Sequence, residues 1–248
     1  LVKPIVYKDA NVVFATCIGI KSDNFFKELG HKFDTVIIDE AGKANITETL
    51  VPMELGRKVI LVGDQKQLPP YLDSELLDKE DSKSFPNSKY GQKYKIEDIR
   101  HATETSFFEF LVNRIKEKEF PEENLEMLNF QHRMHPTIGE FVSKSFYGGH
   151  LQMGNSTANN HLPLEKPFDK EIIFFDTSNV PDSFEQKRHF EVSNEVEATV
   201  LLHFILPELK ARNVEAEKMA IIAPYKSQVR LIKKKINESG DPFMARID

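Results

Sequence analysis

Five short apolar runs punctuate the chain: Val12-Val13-Phe14-Ala15, Thr35-Val36-Ile37-Ile38, Val59-Ile60-Leu61-Val62, Ile172-Ile173-Phe174-Phe175 and Met219-Ala220-Ile221-Ile222. Uninterrupted runs of this length predict strands covered on both faces, as in a parallel sheet. Between them, apolar residues recur at helical spacing. The helices predicted are Phe25 to Leu29, Ile46 to Leu55, Ser106 to Lys118, Ile138 to Phe146, Glu195 to Leu209 and Ser227 to Ile236. Strands alternating with helices give an α/β fold with a parallel sheet. Three of the runs lie before residue 65 and two after residue 170, so two incomplete α/β lobes, 1–128 and 129–248, fit better than one continuous sheet. Polar stretches at Asp73 to Lys95 and Gly148 to Lys166 read as surface loops.

Composition narrows the class without naming a chemistry. Of 248 residues, 40% are hydrophobic and 29% charged, the proportions of a globular protein. No run approaches the roughly eighteen apolar residues of a membrane span, so no membrane partner is expected. One cysteine, Cys17, cannot form an internal disulfide, and an intracellular protein is expected. The net charge of -6 argues against gripping nucleic acid by bulk positive charge, so any such contact must come from particular residues.

Four strand ends carry candidate chemistry. Val36-Ile37-Ile38 runs into Asp39-Glu40, two carboxylates at the edge of a parallel sheet where ligands gather. Asp39 could hold Mg²⁺ through water, and Glu40 could orient and deprotonate an attacking water. The plainer alternative is a strand leaving into solvent. A second strand ends in Gly63-Asp64-Gln65-Lys66-Gln67-Leu68-Pro69-Pro70, where the Gln67 amide can both donate to a phosphate and accept from water. An ordinary turn explains the Gly and Asp there but not the paired prolines with Gln. In Gln131-His132-Arg133-Met134-His135-Pro136, Arg133 offers a planar cation suited to phosphate and His132 a ring able to stack. Helix capping led by Pro136 is the competing explanation. Last, Ala223-Pro224-Tyr225-Lys226-Ser227-Gln228 passes from strand to helix, with Tyr225 able to pack on a sugar or base.

Taken in order, these segments resemble the superfamily 1B helicases, in the branch of the nonsense-mediated-decay RNA helicase and senataxin. Asp39-Glu40-Ala41 is similar to their Walker B motif, and Gly63 to Pro70 to their motif III. Gln131 to Pro136 resembles Gln-Tyr-Arg-Met-His-Pro, and Ala223-Pro224-Tyr225 with Gln228 resembles Thr-Pro-Tyr…Gln. Ala15-Thr16-Cys17 resembles a strand-touching segment, Asn194 with Glu197 an Asn-x-x-Glu pair, and Ala245 to Asp248 the opening of motif V.

The resemblance implies parts of two RecA-like domains: 1–128 the later part of the first, 129–248 the earlier part of the second. It implies an ATP-dependent helicase, with ATP and Mg²⁺ as cofactors and single-stranded RNA or DNA as partner. By the same resemblance Asp39, Glu40, Gln67 and Arg133 are catalytic, with Asp39 the metal ligand. Asp64, Gln131 and His132 would bind the nucleotide. Thr16, Cys17, Pro69, Pro224, Tyr225 and Gln228 would touch the strand.

Departures accompany the match. His132 stands where the family has tyrosine against the adenine, and Lys43 where glutamine is usual. No Gly-x-x-x-x-Gly-Lys-Ser/Thr phosphate loop occurs in these residues. The expectation is therefore a helicase fragment that hydrolyses ATP negligibly by itself. A degenerate helicase-like scaffold is the alternative, although decay would be expected to lose some of Asp39, Glu40, Gln67 and Arg133. A metal-dependent phosphohydrolase would need further clustered ligands beyond Asp39 and Glu40, and none stands out.

Overall fold

The computed structural model describes residues 10–22, 33–71, 104–188 and 191–247. It divides into two compact units, Leu1–Leu128 and Asn129–Asp248. The predicted helix at Phe25 to Leu29 and the predicted loop at Asp73 to Lys95 lie outside the described residues. Among the described residues, no helix is long and apolar enough to cross a membrane.

The first unit contains α1 (Cys17–Ser22), β1 (Phe33–Ile38), α2 (Ile46–Met53), β2 (Gly56–Leu61) and α3 (Phe107–Lys116). β1 and β2 pair in parallel, with Ile38 opposite Leu61. A parallel pair needs a crossover, and α2 supplies it. Its start is fixed by a reciprocal cap. Asn45 Oδ1 accepts from the Glu48 N–H at 2.9 Å, and Glu48 Oε2 accepts from the Asn45 N–H at 3.1 Å. α2 buries Thr49 and Pro52. Ser106 caps α3 through the Glu109 N–H at 3.0 Å, and that helix turns Val112 and Ile115 inward.

The second unit contains β3 (Phe130–Gln131), α4 (Pro136–Phe146), β4 (Gln152–Met153), β5 (Gln186–Arg188), β6 (Glu191–Ser193), α5 (Glu195–Val200), α6 (Leu206–Ala211) and α7 (Lys226–Ser239). β3 and β4 are parallel, while β5 and β6 form an antiparallel hairpin. A π-helical turn, Leu201–Ile205, joins α5 to α6. Ala198, Leu202 and Leu206 project from this continuous helix into a core shared with Ala216, Ile232, Phe243 and Met244. Each large apolar side chain fully buried there contributes about 1.5–3 kcal/mol. α7 ends at Gly240, whose φ of 64° is the left-handed geometry glycine adopts without strain. Just beyond, Asp241 accepts from Lys210 Nζ at 2.8 Å and from the Phe243 N–H at 2.8 Å. The lysine first, and then that amide, hold its carboxyl below the usual carboxylate range.

Three predicted strands are corrected. Val12 to Ala15, Ile172 to Phe175 and Met219 to Ile222 belong to no ladder among the described residues. A strand requires a partner as well as apolar side chains, and these runs are covered on one side at most. Phe14 is 92% exposed, Phe174 88% and Ile222 93%. Met219 and Ile221 still pack on the core, so this segment is extended and half-buried. Phe175 is held by aromatic contacts, its ring 5.9 Å from those of Phe168 and Phe204.

Candidate functional site

In the first unit, two turns leave the carboxyl edge of the parallel pair side by side. The ladder continues past both strand ends. The Val62 N–H donates to the Ile38 carbonyl and the Ala41 N–H to the Val62 carbonyl, each at 2.8 Å. Beyond them the backbones nearly touch. A Cβ on Gly63 would lie 2.7 Å from the Gly42 nitrogen, and one on Gly42 would lie 2.8 Å from the Asp64 carbonyl oxygen. Glycine at both positions lets the Asp39–Lys43 turn and the Gly63–Gln67 turn meet.

Both carboxylates of the first turn are exposed. Asp39 Oδ1 accepts from the Glu40 N–H at 3.0 Å. Glu40 itself has φ +56°, a left-handed conformation uncommon away from glycine. The turn closes through the Lys43 N–H, which donates to the Glu40 carbonyl at 2.9 Å. Lys43 Nζ also sits 3.1 Å from Glu40 Oε2. In the neighbouring turn, Asp64 accepts from the Lys66 N–H at 3.0 Å and from Gln67 Nε2 at 2.9 Å. Asp64 thus orients the Gln67 amide. Pro69 is exposed and Pro70 buried.

The donor set suits Mg²⁺. That ion is held by one or two carboxylates together with phosphate oxygens and water, and it needs no cage of protein ligands. Among the described residues, no three His, Cys, Asp or Glu side chains gather as a cage would require.

In the second unit, Gln131 organises its own loop. Its Oε1 accepts from the Arg133 N–H at 2.8 Å and the Met134 N–H at 2.7 Å, and its Nε2 donates to the Met134 carbonyl at 2.8 Å. Asn160 Nδ2 donates to the Arg133 carbonyl at 2.9 Å. The Arg133 backbone is therefore held from two sides. Its exposed guanidinium makes no hydrogen bond or ion pair among the described residues. The exposed His132 ring lies over Gly154, where an added Cβ would come within 2.2 Å of Nδ1. His135 Nδ1 accepts from the Thr137 N–H at 3.3 Å and starts α4, with Pro136 in its first turn. Capping by this loop and a free arginine coexist.

The remaining predicted residues divide by exposure. Pro224 and Tyr225 are exposed at the start of α7. Gln228, one helical turn on, is 5% exposed. Its Oε1 accepts from the Asn194 N–H at 2.8 Å and its Nε2 donates to the Asn194 carbonyl at 3.1 Å. Its amide is committed to protein backbone in this conformation. Asn194 caps α5 through the Glu197 N–H at 3.0 Å and donates to the Ser183 carbonyl at 2.8 Å. Ser227 exchanges hydrogen bonds with the Val192 backbone. Thr16 Oγ1 accepts from the Gly19 N–H at 3.0 Å at the start of α1, and Cys17 is half-buried. Glu197 lines two cavities, of about 470 and 330 Å³, beside Phe174 and Ile222 respectively.

Sequence reasoning left several positions without a role. The motifs give Lys43 no role and do not mark Gly42, Gly154 or Asn160. The two glycines carry a signal in kind, an absent side chain, but the partner each accommodates is distant in sequence.

Comparison with known proteins places the chain in a family. Residues 2–75 and residues 103–246 each match a family described as an AAA domain. The chain is 32% identical over 250 residues to the probable helicase MAGATAMA 3 of Arabidopsis thaliana, covering 96% of this chain and 26% of that protein. It is 29% identical to helicase sen1 of Schizosaccharomyces pombe, covering 98% of this chain and 13% of the relative. With the ATP-dependent helicase upf1 of the same organism it shares 28% identity, over 93% of this chain and 22% of the relative. The chain thus spans about a quarter or less of these curated relatives. AAA-type helicase domains are RecA-like, in keeping with the parallel strand pairs found here. The chain belongs to the AAA-domain helicases of superfamily 1, in the branch of Sen1 and Upf1.

Proposed function

We propose that this chain forms part of an ATP-driven motor that moves along single-stranded RNA or DNA, its two units belonging to successive RecA-like domains. The observation that carries the proposal is the pairing of two turns at one sheet edge. Asp39 and Glu40 stand on one, and Asp64 with Gln67 on the other, locked together by Gly42 and Gly63.

Asp39 would hold Mg²⁺, which neutralises phosphate charge when bound. Glu40 orients a water and takes its proton. Gln67, steadied by Asp64, senses the terminal phosphate by donating one hydrogen bond to it. Arg133 neutralises charge on the transferring group. Its guanidinium has no competing partner among the described residues, and its backbone is fixed by Gln131 and Asn160. His132 offers its exposed ring to the adenine.

Thr16, Cys17, Pro69, Pro224 and Tyr225 are assigned to the nucleic-acid strand. Gln131 and Gln228 act one step removed, Gln131 by shaping the arginine loop and Gln228 by anchoring the helix that follows Tyr225.

The test uses the intact protein, because the phosphate loop is not among these residues. Replacing Glu40→Gln keeps size and polarity but removes the base. Single-turnover ATP hydrolysis should fall by roughly a hundredfold or more, while an unhydrolysable ATP analogue binds as before. Undiminished hydrolysis would remove Glu40 from the mechanism and favour a scaffold that retains the shape alone.

A further inference from the structure

We infer that Lys43 is a positioning residue that parks the Glu40 carboxylate between turnovers. The inference rests on the reading of Glu40 as base. Two bonds close the same turn: the Lys43 N–H donates to the Glu40 carbonyl at 2.9 Å, and Lys43 Nζ lies 3.1 Å from Glu40 Oε2. Glu40 holds its backbone at φ +56° within this same turn. A carboxylate takes a proton from water through an oxygen lone pair; the ammonium occupies one such site, at Oε2, and draws the carboxylate over its own turn. Release from Lys43 frees the carboxylate to swing away from its own turn toward a water.

The chemistry of position 43 sets how firmly the base is parked. A glutamine there carries no charge and offers a weaker hydrogen bond to a carboxylate than an ammonium does. Lysine is a compact point charge on a flexible stem, so it can follow the carboxylate and let go of it. The side chains of Lys43 and Glu40 remain 45% and 67% exposed. At that exposure solvent screens the pair, and the bias toward the parked arrangement is about two- to fivefold. Lys43 is thereby a governor of turnover rate, not a lock.

The experiment has two arms. In nucleotide-free protein, hydrogen exchange of the residue 43 backbone amide reports closure of the turn. Lys43→Gln and Glu40→Gln should each speed that exchange about two- to fivefold, and the double variant should speed it no further. Additive effects, or none, would show that the side chains do not hold one another.

In the intact protein, Lys43→Gln should raise single-turnover hydrolysis by about the same two- to fivefold factor, with affinity for an unhydrolysable ATP analogue unchanged. Lys43→Arg, which keeps the cation, should restore the parent rate. A lower or unchanged rate in Lys43→Gln, or failure of arginine to restore it, overturns the inference. The underlying reading fails separately, when Glu40→Gln leaves hydrolysis intact.

Discussion

At the level of single residues, glycines 42 and 63 determine whether the two acidic turns can lie together. Each stands where a methyl group would strike the other turn's backbone, at 2.8 and 2.7 Å respectively. Backbone cannot step aside as a flexible side chain can. Gly63→Ala should therefore destabilise the first unit by about 1–3 kcal/mol, read by urea denaturation, and should slow hydrolysis in the intact protein. An alanine variant with parental stability and rate would show that the turns separate easily. The two turns that carry Asp39, Glu40 and Gln67 were legible in the sequence, because each follows an apolar strand. The partners that orient them were less so. Gln131 reads as a nucleotide ligand in its motif, yet its amide holds the backbone of Arg133 and Met134. Sequence shows what a side chain can bond to, but the nearer backbone groups take it first.

Among the elements, helices were read well and strands unevenly. A helix satisfies its backbone internally, so local spacing is enough to find it, and α2, α3, α4 and α7 lie close to where the pattern puts them. A strand is completed by another strand. Residues 172–175 and 219–222 have the right side chains but no ladder among the described residues. Conversely, the short β5–β6 hairpin is polar and gave no apolar signal. Its position is fixed from outside, by Ser227 on Val192 and Gln228 on Asn194. Gln228→Ala leaves a buried N–H and carbonyl of Asn194 without partners. The expected cost is about 1–3 kcal/mol, again measured with urea, and a neutral result would mean that water replaces the amide. The π-helical turn at Leu201–Ile205 also has a local reason. Pro207, in the first turn of α6, lacks an N–H and would crowd the carbonyl four residues earlier, and a widened turn just before it relieves both.

For the whole chain, the boundary between units is the feature most open to experiment. Residues 125–129 form no helix or strand, and Glu126, Met127 and Leu128 are exposed. Brief digestion with a glutamate-specific protease should cut after Glu126 before it cuts within α3 or α4, as mass spectrometry of the products would show. Prior cleavage inside either helix would contradict the division. A separate consequence follows from the alternation along Met219–Ile222. Met219 and Ile221 pack on the core, while Ala220 and Ile222 face outward. Tolerance to substitution should accordingly beat with a period of two. Lysine at 220 or 222 would leave the core undisturbed and make the chain easier to keep in solution, whereas the same change at 219 or 221 would drive a charge among Leu202, Ile232 and Met244.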